Sequence, residues 1–135
     1  MPDAKPFLDT NVVLYLLSAD AAKADRAEEL LAGGAIISVQ VLNEFASVSV
    51  RKFRRTIPEI REALVAIRAT CRVVALDEET HDIALDIAQR HQFTIYDALI
   101  VASALNAGCK KLLTEDLHHG QKIGGLRVQN PFLVS

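Results

Sequence analysis

The chain has 135 residues, 50% hydrophobic and 24% charged, with a formal net charge of −2; this fits a single domain over residues 1–135 with a core of its own, and excludes a disordered segment and a wholly basic nucleic-acid binder. Cys71 and Cys109 match neither a disulfide framework nor a zinc-ligand spacing. Met1-Pro2-Asp3-Ala4-Lys5-Pro6 lacks the basic-then-apolar pattern of a secretory signal, and no apolar run approaches the ~18 residues of a membrane span, so a soluble cytoplasmic protein is expected.

In chain order, Phe7-Leu8 reads as a short buried strand that ends at Asp9. Thr10-Asn11 open a helical stretch through Val12–Leu17. A second helix covers Asp20–Ala32, with Ala24, Ala27, Leu30 and Leu31 at helical spacing and Gly33-Gly34 as its stop. Ala35–Ser38 is a second buried strand. A helix follows over Val39–Arg54, with Leu42, Phe45, Ala46 and Phe53 at its apolar centre and Glu44 at the rim, on one stripe with Arg51. Pro58 starts the next helix, to Ala69.

Val73–Leu76 reads as a third strand. Asp77 caps a helix whose first turn holds Glu78 and Glu79. Asp97 caps a further helix to Asn106 that is apolar on nearly all sides and therefore central. Lys111–Thr114 and Leu126–Gln129 read as the fourth and fifth strands. Strands alternating with helices point to a parallel sheet covered on both faces. In such sheets, sites form beyond the carboxyl ends of strands where strand order switches. Asp9 and Asp116 stand at two such ends.

Asp9, Glu44, Asp97 and Asp116 each border a strongly apolar stretch, where a carboxylate is costly without a positive partner. Converging, they would suit a hard cation such as magnesium or manganese, which takes oxygen ligands and serves phosphoester chemistry. Taken singly, each has a plainer interpretation: Asp97 as a helix cap, Asp116 as a turn residue, Glu44 as a solvated helix-edge acid, Asp9 as a structural acid.

Their order along the chain carries a resemblance. Phe7-Leu8-Asp9-Thr10-Asn11-Val12, Asn43-Glu44-Phe45, Tyr96-Asp97-Ala98-Leu99-Ile100 and Leu113-Thr114-Glu115-Asp116 resemble the four acidic motifs of PIN domains. More narrowly, the chain is similar to the ribonuclease toxins of type II, VapBC-type toxin–antitoxin modules, down to the ending Asn130-Pro131-Phe132. The resemblance implies a three-layer α/β/α fold with a parallel sheet of about five strands in the order 3-2-1-4-5. It implies a Mg2+- or Mn2+-dependent endoribonuclease in which Asp9, Asp97 and Asp116 bind metal, Glu44 binds it directly or through water, and Thr10, Asn11 and Thr114 support them. A homodimer and a small antitoxin partner are implied with it. One departure is His118, at a position where many relatives carry a further acid.

Seven basic residues lie between Arg51 and Arg72 against two acids, Glu59 and Glu62. Arg51, Lys52, Arg54 and Arg55 are therefore candidates for gripping an RNA backbone, beside the plainer possibilities of a solvated helix pair, a protein interface or an Arg51–Glu44 ion pair. His118 and His119 read as loop residues, and Tyr15, Phe45 and Tyr96 as core. Two other functions fit parts of the pattern: a small phosphohydrolase with Asp9 as nucleophile, where Asn11 replaces the second Asp such sites need, and a non-catalytic interaction domain.

Overall fold

The structure, a computed structural model, describes residues 5–133; residues 1–4 and 134–135, with most of the Met1–Pro6 stretch and both ends of the expected domain, lie outside the described residues. Chain order is β1 (Phe7–Leu8), α1 (Thr10–Leu14) continued by a 3-10 turn (Tyr15–Leu17), α2 (Ala21–Ala32), β2 (Ala35–Ser38), α3 (Val39–Arg51), α4 (Ile57–Thr70), β3 (Cys71–Val74), α5 (Glu78–His91), α6 (Ile95–Asn106), β4 (Lys111–Leu113), β5 (Lys122–Ile123) and β6 (Leu126–Gln129).

The sheet order is β3-β2-β1-β4-β6-β5. All pairings are parallel except β5 with β6. The strand expected as fifth is β6, so the anticipated order holds with one addition. That addition is an antiparallel edge strand, β5, joined to β6 by Gly124-Gly125, the first at φ 59°. Right-handed crossovers place α1–α4 on one face while the chain moves from β1 out to β3, and α5–α6 on the other as it returns to β4. Contacts of α1 with α3 and of α5 with α6 agree with that layering, and α6 spans both β2 and β4.

The core follows from the apolar pattern. Phe7 and Leu8 are wholly buried, as are Ile37, Leu112 and Val128 on the neighbouring strands. Every residue of α6 from Ala98 to Ala104 is buried, as its all-round apolar sequence requires. In α3 the deepest apolar positions are Val41 and Phe45, with Phe53 past the helix end. Glu44 is half-buried at the rim. Among the described residues no helix is long and apolar enough to cross a membrane.

Three details differ from the sequence expectations. Strand β3 lies two residues earlier than expected. Helix α3 ends at Arg51 rather than Arg54, which sits at φ 54° in the turn that follows. Helix α6 begins at Ile95 with Thr94 as its N-cap: the Thr94 hydroxyl accepts from the Asp97 amide at 3.2 Å, so Asp97 sits in the first turn and is not the cap. Its carboxylate lines a cavity and keeps a side-chain hydrogen bond with Thr94. Thr94→Ala is expected to lower unfolding free energy by about 1 kcal/mol, while Asp97→Asn in metal-free buffer leaves stability unchanged or slightly raised. Paired urea titrations check the contrast.

Candidate active site

Register brings the ends of β1 and β4 together. Phe7 pairs with Leu112 and Leu8 with Leu113, so Asp9 comes to lie beside Thr114. These are the central strands between which chain direction reverses across the sheet, the switch point of an open α/β fold. The four predicted acids meet there: Asp9, Glu44, Asp97 and Asp116 all line one cavity of about 190 Å³, with Gln40 and Tyr96 in its wall.

A web of neutral dipoles fixes the acids. Asp9 is only 5% exposed. Its Oδ1 accepts from the Thr10 amide at 2.7 Å, and its Oδ2 accepts from the Thr114 hydroxyl at 2.8 Å and the Asn11 side-chain amide at 3.2 Å. Asn11 Nδ2 also reaches Thr114 Oγ1 at 3.1 Å and Asp116 Oδ2 at 2.9 Å, while Asn11 Oδ1 accepts from the Glu115 amide at 3.2 Å. The Thr114 hydroxyl accepts from the Asp116 amide as well, at 3.0 Å. Thr10 donates its hydroxyl to Glu44 Oε1 at 2.7 Å. Thr10, Asn11 and Thr114 are thus the polar residues that tie Asp9, Glu44 and Asp116 to one another, while Asp97 faces them from α6 across the cavity.

Sequence reasoning missed Gln40. It is buried one helical turn before Glu44, donating Nε2 to Glu44 Oε1 at 3.3 Å and to the Tyr96 carbonyl at 3.1 Å. Its spacing of four from Glu44 on α3 was the available signal. Tyr96 was expected in the core and is instead 64% exposed at the cavity wall, because it lies in the first turn of α6, before the buried run that begins at Ala98. Phe45 is core, and Tyr15 is half-buried.

Among the described residues none of the ion pairs involves the four acids. Glu44 is held by Thr10 and Gln40, not by Arg51. The effect on ionisation is direct. Burial pushes the Asp9 carboxyl up to about 7; Asp116 and Glu44 add to the rise, and the bonds from Thr114 and Thr10 oppose it. Burial also raises Asp97, a side-chain hydrogen bond with Thr94 opposes the rise, and Asp116 and Glu44 add to it.

The adjacent acid Glu115 has a different fate. Lys23 pairs with it at 3.0 Å, the Tyr15 hydroxyl donates to it, and it does not line the cavity. Lys23 also lies 4.5 Å from the Tyr15 ring centre, and Tyr15 meets Phe132 edge-on at 4.7 Å, so this cluster anchors the ending Asn130-Pro131-Phe132. His119 accepts from the Asn130 amide at 3.0 Å, a loop role, and His118 is exposed.

The donor set fits a hard divalent cation: all four acids offer oxygen, and the buried Gln40 Oε1 has no partner, which leaves an acceptor for water held by such an ion. The carboxylates stand apart as the chain folds, since no three His, Cys, Asp or Glu side chains among the described residues close to metal-holding distance. Arg51, Lys52, Arg54 and Arg55 lie outside the cavity, exposed around the end of α3 about 10 Å along that helix from Glu44, with Arg55 3.8 Å from Glu59.

Residues 7–122 match the PIN domain family, and the chain belongs to it. Comparison with curated proteins by sequence gave no match. Among solved structures, a chain of a toxin–antitoxin complex from Klebsiella pneumoniae is 20% identical with TM-score 0.72, covering 96% of this chain and 100% of its own. VapC20 of Mycobacterium tuberculosis, described as a sarcin–ricin loop cleaving toxin, is 24% identical with TM-score 0.66, over 83% of this chain and 92% of its own. A chain of VapBC2 from Rickettsia felis, bound to a promoter DNA fragment, is 16% identical with TM-score 0.69, over 94% and 98%.

Two outcomes follow from the web. Thr114→Val keeps the volume but removes the hydroxyl that joins Asp9, Asn11 and the Asp116 amide; it is expected to lower unfolding free energy by about 2 kcal/mol in chemical denaturation. Asp9 has an ordinary carboxyl of 3.8 in the unfolded chain and about 7 in the fold. Between those values the native state binds the extra proton, so stability in chelator falls as pH rises from about 4 to about 7, by at most about 4 kcal/mol from this group, and levels off above. Urea midpoints across that window test it; midpoints that rise toward pH 7 would contradict it.

Proposed function

We propose that this PIN-domain protein is a metal-dependent endoribonuclease, the toxin of a type II VapBC-type module, that hydrolyses RNA phosphodiester bonds, acts as a homodimer and is blocked by a small antitoxin protein. The observation that carries the proposal is the meeting of four uncompensated carboxylates in one cavity at the switch point of the sheet. What is said of the similar structures supports it: VapC20 cleaves the sarcin–ricin loop, and the Klebsiella chain comes from a toxin–antitoxin complex.

Asp9, Asp97 and Asp116 would hold a magnesium or manganese ion, with Glu44 joining directly or through water. Bound there, such an ion makes water more acidic and offsets charge building on a phosphate. The chain's own residues do the positioning. Asn11 and Thr114 hold Asp9 against Asp116, Thr10 and Gln40 hold Glu44, and Thr94 places Asp97 in the first turn of α6. Tyr96 and the wall residues around it narrow the cavity.

Covalent catalysis by Asp9 fits less well. Both of its oxygens already accept hydrogen bonds, three in all, and its burial leaves little room for in-line attack on a phosphorus atom. A purely structural acid cluster would leave those charges without compensation.

Purified protein incubated with RNA is expected to cleave internally in manganese, to stop in chelator, and to lose at least 100-fold of its activity in Asp9→Asn and Asp97→Asn. Phosphate release from a small phosphoester without RNA cleavage would overturn the assignment. Because a cation at Asp9 competes with a proton, added manganese is expected to raise the melting temperature more at pH 8 than at pH 6. An equal rise in the Asp97→Asn protein would move the ion away from this cavity.

A further inference from the structure

We propose that the open corner of the sheet carrying Lys111, Arg127 and Lys122 is a second docking surface, for the phosphate backbone of single-stranded RNA. This rests on the ribonuclease reading of the acid cavity.

The three cations form one row across three strands. Lys111 pairs in register with Arg127, and Arg127 with Lys122. In-register partners point to the same side of a sheet, and successive strands are about 4.8 Å apart, so the row spans about 10 Å. The alternation confirms the common face: Leu112, Val128, Leu126 and Ile123 on the other side are buried, while Lys111, Arg127 and Lys122 are exposed. With Lys110 they border a concavity of about 420 Å³ whose other walls are Gly124, Gly125 and the buried Leu126.

Like charges directly opposite on neighbouring strands destabilise a sheet. Among the described residues no acid borders the concavity, and none of the ion pairs involves these four cations. A lysine on the edge strand β5 is accounted for by protection against edge-to-edge pairing. Lys111 and Arg127 are not, because β4 and β6 are paired on both sides. The row is therefore unexplained by folding and suited to a polyanion.

The chemistry of the surface favours nucleic acid over protein. Protein interfaces centre on exposed apolar or aromatic anchors, and none of the exposed large hydrophobic side chains borders this concavity. Phosphate contacts need only cations at a suitable spacing and carry affinity without base reading. The corner also connects to the cavity: β4 runs from Lys111 toward Asp116, five residues on and at most about 17 Å away. A strand of RNA lying across the row has the acids within reach.

The test compares the full chain with a triple variant, Lys111→Gln, Lys122→Gln and Arg127→Gln. Binding of a fluorescein-labelled, unstructured 20-nucleotide RNA is followed by anisotropy in chelator, which prevents cleavage. The triple variant is expected to bind at least tenfold more weakly at 50 mM salt, with the slope of log K against log salt reduced by about 2. Its melting temperature is expected to equal or exceed the parent's, since the change relieves repulsion, so lost binding is not lost folding. Unchanged affinity and slope, in a parent that cleaves RNA, overturn this surface and leave the cavity assignment standing. Intact RNA binding with lost antitoxin binding overturns it in favour of a protein partner. A parent that neither binds nor cleaves RNA removes the ribonuclease reading, and this surface with it.

Discussion

Like-charged carboxylates gather at one end of a sheet only if the backbone forces them together, and the force here is the parallel pairing of β1 with β4. Two residues of β1 lie in register with β4. Their side chains are wholly or almost wholly buried, so a slip by one residue would either draw Asp9 into the apolar stretch or carry Leu8 beyond it. That penalty fixes where Asp9 emerges. Thr114 then completes the arrangement: its hydroxyl donates a hydrogen bond to Asp9 and accepts from Asn11 and the Asp116 amide. Asp9, Glu44 and Asp116 are tied by neutral groups. Such groups set position without cancelling charge, and the Asp9 carboxyl stays raised, chiefly by burial and to a lesser degree by Asp116 and Glu44.

The same logic separates two acids that adjoin in sequence. Glu115 and Asp116 both follow β4, yet Lys23 and Tyr15 on the α1–α2 side neutralise Glu115 and draw it into the packing of Phe132. Among the described residues the Asp116 carboxylate receives only the side-chain amide of Asn11, and it stays exposed at the cavity. A cation given to one neighbour and withheld from the other divides structural from chemical duty. It also couples the end of the chain to the site, since Arg26 holds the Pro131 carbonyl at 3.1 Å on the same helix that carries Lys23.

Much of this was legible in the residues, for physical reasons that differ by element. The strands β1 and β2 and the helix α6 declare themselves by being apolar on both faces or all round, which only central elements can be. The four acids stood out because each borders such an element. What failed was local. Thr94 outcompetes Asp97 as the cap because its hydroxyl is placed three residues before the amide it serves, a spacing visible as Thr94-Ile95-Tyr96-Asp97 only once the helix start is known. Strand β5 is two residues long, too short to show alternation; its signal was the turn Gly124-Gly125 between Ile123 and Leu126. Gln40 and Lys23 act through contacts distant in sequence, and no periodicity announces a partner 56 or 92 positions away.

A net charge of −2 conceals a division of charge along the sheet. Carboxylates collect beyond the carboxyl ends of β1 and β4, and lysines and an arginine collect toward the opposite end of β4 and on β5 and β6. Each cluster is unfavourable for folding by itself, the first through burial and mutual repulsion, the second through like-charged cross-strand neighbours. Rearranging the same side chains into mixed pairs would relieve both, and the fold does so elsewhere, as at Lys23–Glu115 and Arg26–Glu29. Under the ribonuclease proposal, the two opposite clusters left unmixed on one strand direction would divide the work, one end meeting a polyanion and the other, with a cation in place, acting on it. A phosphodiester chain is the ligand whose chemistry asks for both.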